Sequence, residues 1–261
     1  MRLTGFIALT EAFLRPTTTS WWSDTEDVVP VDDHIKQLGR YTRLSLVHFD
    51  IWVSSYLIDY SADDLRRHAI AKIYLANTSH CNNWDLVDAS AHKILGEHLI
   101  RFHVADLASF VLAGPTAEAI DLLPAWYQRL LRSNDLWETR ISIVLLLKLL
   151  PTEHYHVAYA VCLYHINKFH ADPLLRCTIR GVPFESLDLI HKALGWVLRE
   201  AGKHDPARLT QFLHEHASKA FKTTVRYATE HMTRPKAKRF LDVAQRGVGG
   251  SVVVVAPLLE E

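Results

Sequence analysis

The 261-residue chain has only three cysteines, Cys81, Cys162 and Cys177, with no CxxC pair among them. This excludes a disulfide-stapled fold and fits a reducing cytosol. Long hydrophobic runs are missing too. The longest, Ile141 to Leu150, is broken by Lys148 and falls well short of the roughly 20 residues a spanning helix needs. The N-terminus has one basic residue and a short apolar run before Glu11, so no signal peptide is expected. There is no charge of one sign, because 29 basic residues balance 29 acidic ones, and a uniformly basic nucleic-acid binder is excluded. Alternating β-branched runs are absent apart from Ser251–Val255, which leaves no large sheet to build. His-Glu-x-x-His, a Gly-rich phosphate loop and Gly-x-Ser-x-Gly are also absent. Sixteen histidines raise the question of a metal. His154 and His156, like His214 and His216, are two apart and point different ways on a helix, so no metal is expected.

What remains is helical periodicity. Amphipathic segments are read over 46–59, 62–77, 83–101, 103–113, 116–131, 135–150, 153–168, 186–203, 205–217, 219–232 and 234–246, joined by short links. Many short helices with little linker suggest stacked pairs, each unable to bury its apolar face alone. No strict repeat period is visible, so an irregular helical bundle is the other arrangement open. Asp135 followed by Glu138 resembles a capping box, and Pro151 ends the helix before it. Residues 171–185 hold two prolines and a glycine and read as a loop. Gly247-Val-Gly-Gly-Ser reads as a flexible break before a loosely held tail.

Charge is segregated. Residues 21–65 carry nine acids and three bases, while residues 199–246 carry eleven Lys/Arg and five Asp/Glu. A basic C-terminal half can offer a phosphate-contacting surface.

The most informative stretch is Asn82-Asn83-Trp84-Asp85-Leu86-Val87-Asp88. The asparagines are good N-caps, and a spacing of four then puts Trp84 and Asp88 on one face of the first two turns. An indole face beside an anion suits a cationic or electron-poor guest. The plain alternative is a core tryptophan and a solvated aspartate. Further on stand Asp135-Leu136-Trp137-Glu138-Thr139-Arg140 and Lys192-Ala193-Leu194-Gly195-Trp196-Val197-Leu198-Arg199-Glu200. Taken alone, Trp196 reads as core packing, and Arg140 as a helix cation pairing with an acid.

Together and in this order, the three segments resemble the AlkD family of DNA alkylation repair proteins, HEAT-like helical-repeat DNA glycosylases that remove N3- and N7-alkylated purines. The resemblance runs from about residue 46 to about 232, with a weaker match at 223–230. It implies an all-α fold, a right-handed α–α superhelix of degenerate HEAT-like repeats. Its parts would be a degenerate N-terminal helical segment (1–45), the DNA-binding glycosylase array (46–246) and a flexible tail (247–261). In the N-terminal segment only Val29-Pro30-Val31 and Ile35 to Arg40 look like the family's first repeat.

The resemblance also implies a site. Asp88 matches the catalytic aspartate, Trp84 and Trp196 its two tryptophans, and Arg140 an arginine near the lesion, where a guanidinium can grip backbone phosphate. Lys192, Arg199, Lys203, Lys219, Lys222 and Arg226 are candidate phosphate contacts. The implied partner is double-stranded DNA bearing alkylated bases, without membrane, cofactor or metal. The implied enzyme is a monomeric, monofunctional alkylpurine glycosylase of the cytoplasm, nucleoid-associated when bound. Two other readings stay open: a non-catalytic superfamily member binding distorted or branched DNA, and a helical scaffold for a protein partner.

Overall fold

The computed structural model describes residues 62–114, 116–172, 175–184 and 187–247. The helix expected over 46–59, the N-terminal segment and residues 251–261 lie outside these. Among the described residues the chain is helical apart from one two-stranded hairpin. The first helix, α1 (Ala62–Ala76), is followed by α2 (Trp84–Ala91), which continues through a π-turn (His92–Gly96) into α3 (Glu97–Phe102). Then come α4 (Val104–Leu112), α5 (Ala125–Arg132), α6 (Leu136–Val144) with a 3-10 extension (Leu145–Lys148), and α7 (His156–Ala171). After the hairpin stand α8 (Asp188–His204), α9 (Pro206–His216), α10 (Lys222–Ala228) and α11 (Arg234–Gly247).

The helices stack in pairs. α5 packs with α6, α8 with α9, and α10 with α11, while α2, α6, α8 and α10 touch in succession as one row. Each pair hides its apolar stripe only against its neighbours, as in a helical-repeat array. One apolar core runs through the row, from Tyr74 and Leu86 by way of Leu136, Ile141 and Leu194 to Val225 and Phe240.

Local chemistry explains the ends. Asn83 caps α2, its side chain accepting the Asp85 N–H at 3.2 Å. Asp135 caps α6 by accepting from Trp137 and Glu138 at 2.9 and 3.1 Å. The expected capping box is only half made. The Glu138 carboxylate turns away to Thr78 Oγ1, Ser133 Oγ and Arg129 at 2.5–2.7 Å, tying the α1–α2 link to α5 and α6. Asp205 caps α9, with Pro206 at the first position, where no N–H is needed.

Two glycines set how closely the row packs. A Cβ at Gly96 would lie 2.5 Å from the Leu145 carbonyl oxygen, and one at Gly195 would collide with Tyr227 Cβ and lie 2.6 Å from the Thr224 oxygen. Glycine therefore lets α8 and α10 meet beside Trp196.

Three expectations are corrected. The segment 116–131 is not one helix. A 3-10 turn (Glu118–Leu122) and α5 flank Pro124, which cannot donate to a continuous ladder. Residues 171–185 are more than a loop: β1 (Cys177–Ile179) pairs antiparallel with β2 (Val182–Phe184). Arg180 and Gly181 between them have φ of 53° and 79°, the paired positive angles of a type I′ hairpin turn. The hairpin rests on the start of α6, with Thr178 N–H donating to the Asn134 carbonyl at 2.7 Å. Gly247, read as the start of a flexible break, is instead the last residue of α11 and lies hard against the Ser218 carbonyl.

Several histidines are built into the core. His98, His165 and His191 are at most 5% exposed. Burial depresses their pKa values to about 2, 3 and 4, and His68, which packs edge-on to Phe102, is lowered to about 4 by burial and by Lys72. They are therefore neutral in the fold. The unfolded chain binds a proton on each below about pH 6.5 that the folded chain refuses. The stability they permit is complete above that pH and is lost as pH falls, at up to about 1.4 kcal/mol per pH unit for each excluded proton. The melting temperature should drop steeply between pH 7 and pH 5, and His98→Leu should flatten the drop. An equal melting temperature at both pH values would refute this.

Candidate active site

The site is assembled where the row brings α2, α6 and the start of α8 together. Arg140, in the second turn of α6, is 5% exposed. Its Nε donates to Asp88 Oδ1 at 3.0 Å and its Nη2 to Asp88 Oδ2 at 2.7 Å, a two-pronged pairing that fixes the plane of the carboxylate. The remaining edge, Nη1, donates to the carbonyl of Leu189 in the first turn of α8. One guanidinium thus joins three helices. The Asp88 side chain is 19% exposed, so one side of it still faces solvent.

Trp84 stands one turn before Asp88 as the first residue of α2 and is 50% exposed. A large indole left half in water at a helix start is unusual for a packing residue. Behind α2 the Tyr74 hydroxyl meets Ser90 Oγ at 3.0 Å, and Ser90 Oγ also donates to the Leu86 carbonyl. This buried link holds the helix from the side of α1, two residues from Asp88. Sequence reasoning missed both it and the Leu189 carbonyl. A backbone oxygen carries no residue-type signal, and Tyr74 and Ser90 are 16 residues apart.

Trp196 lies on α8, partly buried against the core. It is seven residues beyond Leu189, about 10 Å along the helix. The structure thus joins Asp88 directly to Arg140, places Trp84 on the same helix as Asp88, and sets Trp196 two turns along the helix that Arg140 grips.

The six candidate phosphate contacts divide. Lys192 pairs with Asp188 at 2.5 Å, Arg199 with Glu200 and Glu230, and Lys203 with Glu200 at 2.7 Å. Lys219 is exposed. Lys222 Nζ reaches only the Gln245 side chain, at 3.1 Å, and Arg226 lies over the Tyr227 ring at 5.5 Å. The sequence shows the cations but not which of them acids already neutralise.

No cysteine in the described residues offers a nucleophile. All three are buried. Burial, with Asp135 and Glu138 nearby, pushes the Cys81 thiol up to about 12, and burial raises Cys162 and Cys177 as well. Among the described residues, none forms a cluster of three or more His, Cys, Asp or Glu able to hold a metal ion, and no helix is long and apolar enough to cross a membrane.

The Arg140 link makes a stability prediction. Arg140→Met strands a partly buried carboxylate and a carbonyl, so it should cost toward the lower end of the roughly 3–5 kcal/mol seen when one partner of a buried pair is removed. Arg140→Met with Asp88→Leu should recover part of that loss, because no charge is then left unpaired. Urea melts of the two single variants and the double variant measure the coupling. Losses that simply add would mean that the two side chains are energetically independent.

A family model described as DNA alkylation repair enzyme matches residues 50–232. The match covers every helix that lines this site. No curated protein and no solved structure gives a match. The match takes in more than half of the chain and includes Trp84, Asp88, Arg140 and Trp196, and the chain belongs to the DNA alkylation repair enzyme family.

Proposed function

We propose that this chain is a monofunctional DNA glycosylase hydrolysing the N-glycosidic bond of N3- and N7-alkylated purines in duplex DNA. The observation that carries this reading is a half-exposed indole one turn before an aspartate whose carboxylate plane is set by a buried guanidinium. Family membership supports a DNA repair role, and the chemistry of the site supplies the rest.

An alkylated purine of this kind carries a positive charge, so its glycosidic bond is already weak. As that bond breaks, positive charge moves onto the deoxyribose. A fixed carboxylate beside the sugar stabilises that transition state more than the ground state. Arg140 holds Asp88 through one pair of lone-pair directions, and a carboxylate has about four. The solvent side of Asp88 remains free to face the sugar or to orient the attacking water. The exposed face of Trp84 suits contact with a cation-like sugar, and Trp196 is assigned the second such contact. Arg140 is buried, and each of its three nitrogens is bonded to Asp88 or Leu189, so its part here is to position Asp88 rather than to hold phosphate.

A second reading is favoured by the acids that neutralise Lys192, Arg199 and Lys203. In it the Asp88–Arg140–Leu189 link is purely architectural, and the protein binds altered DNA without cleaving it.

Asp88→Asn separates the two readings. If Asp88 stabilises a sugar cation, excision of N7-methylguanine should fall about a hundredfold to a thousandfold, the usual worth of one well-aimed electrostatic contact. DNA affinity should hold or rise, since an anion beside a polyanion has been removed. Trp84→Ala should also slow excision. Strand cleavage at abasic sites after alkali reads the rate, and a melting curve checks that the variants fold. Equal excision by Asp88→Asn and the parent would overturn the catalytic assignment, whereas salt-dependent binding without cleavage by any form would support the second reading.

Lys219, Lys222 and Arg226 are assigned to phosphate. Replacing all three with Ala should weaken binding about equally for damaged and undamaged duplex. It should also lower the log–log salt slope by about 0.9 for each phosphate that is no longer neutralised. An unchanged slope would place the phosphate track elsewhere.

A further inference from the structure

The family match ends at residue 232, but the helical array does not. α11 (Arg234–Gly247) follows, with Arg234, Lys236, Lys238, Arg239 and Arg246 against a single acid, Asp242. Its apolar side is largely used, since Phe240, Val243 and Ala244 are buried, Leu241 is partly buried against the core and α11 packs on α10. Gly247 is pressed against the Ser218 carbonyl, where a Cβ would find no room. Lys236 Nζ reaches Thr210 Oγ1 on α9 at 3.0 Å. Arg234, Lys238, Arg239 and Arg246 are exposed. Unlike Lys192, Arg199 and Lys203, none of these four has a carboxylate partner among the described residues.

Their placement is ordered. At 3.6 residues per turn, Arg234, Lys238 and Gln245 fall within about 40° of one line along α11. Gln245 accepts from Lys222 Nζ on α10 at 3.1 Å. A cationic stripe therefore runs from Lys222 past Gln245 to Lys238 and Arg234, about 16 Å along the helix. Arg239 and Arg246 point to the other flank of the exposed side.

We propose that this stripe extends the phosphate contacts of α10 onto α11, holding the backbone of duplex DNA that flanks the lesion. The proposal rests on the reading of this chain as a DNA binder. The occupant follows from the chemistry of the face. Three cations without carboxylate partners among the described residues, Arg234, Lys238 and Lys222, spread along one line suit an extended polyanion, and about 16 Å of duplex axis carries roughly ten phosphates. An anionic lipid surface fits poorly, because an interfacial helix needs a free apolar face and α11 spends its own on α10. The position also fits a flank rather than the lesion. From α2 to α10 there are three helix-to-helix steps of about 8–10 Å each. That is more than half of the ~34 Å turn of a duplex centred on Asp88.

The test compares duplexes of about one turn, near 10 bp, and about three turns, near 30 bp, each with a central abasic site, the product of the proposed reaction, to register it on Asp88. Arg234→Ala/Lys238→Ala should bind the long duplex on the order of tenfold more weakly and lower its salt slope by roughly 2, while binding of the short duplex stays near the parent's. Arg239→Ala/Arg246→Ala removes the same charge from the other flank and should lower the slope by less than half as much. All four side chains are exposed, so both variants should melt with the parent. Parent-like affinity and slope in Arg234→Ala/Lys238→Ala, while the parent binds in a salt-dependent way, would overturn the track and leave the DNA-binding reading standing. Equal losses in the two pairs would reduce the effect to net charge and overturn the stripe. If instead the pair bound DNA normally but lost affinity for vesicles of anionic lipid, the occupant would be wrong. A parent that binds no DNA at all would remove the reading beneath the proposal.

Discussion

The arrangement hangs on one guanidinium. Arg140 is buried, and burial of a permanent cation is tolerable only where its donors are satisfied by an opposite charge and by well-placed acceptors. Asp88 supplies the charge and the Leu189 carbonyl supplies the further acceptor. The cost of burying Arg140 therefore forces α2, α6 and α8 into one geometry. The bonds around Glu138 tie α5 and α6 to the α1–α2 link. The glycine at 195 carries the row one helix further by letting α8 and α10 meet.

For the glycosylase proposed above, this constraint bears on the chemistry. A carboxylate paired with a cation projects a weaker field than a bare one, which works against stabilising a sugar cation. Two features offset this. The pairing is two-pronged, so the Asp88 oxygens are held in a fixed plane and need not reorganise as charge develops. The pairing also uses the protein side of the carboxylate, leaving the solvent side for a guest. Raw field strength is thus given up for preorganisation. The exposed indole of Trp84 then adds attraction for a cation without adding charge.

Much of this is legible in the sequence, for identifiable reasons. The helix starts at Trp84 and Leu136 are readable because Asn83 and Asp135 cap by side-chain chemistry that belongs to the residue type. The pairing of Trp84 with Asp88 on one helix is readable because a spacing of four is a property of the helix. The family is readable because three motifs stand in order. The hairpin at 177–184 is not, because Arg180 at positive φ is not a residue that advertises a type I′ turn, and the prolines nearby point to irregular chain. The family resemblance points Arg140 at phosphate, whereas the residue taken alone reads as a helix cation pairing with an acid; that this acid is Asp88, 52 residues away, is not legible. The same blindness applies to Arg199 and its partner Glu230, whereas Asp188 and Glu200 stand four and three residues from Lys192 and Lys203 on α8, a spacing the sequence does show.

Zero net charge is the fact least expected of a DNA-binding family, and the placement of the charges accounts for it. Attraction to a duplex is governed by the cations within about a Debye length, near 8–10 Å, of its phosphates, so charges elsewhere on the surface count for little. Ion pairing on α8 reduces what that helix offers, whereas the exposed cations of α10 and α11 lack carboxylate partners among the described residues. The acidic excess of the sequence falls in 21–65, away in the chain from these helices. For the DNA binder proposed above, the described surface attracts a duplex chiefly over α10 and α11, which favours approach in a single orientation, with those helices meeting the backbone and the row behind them leading toward Asp88.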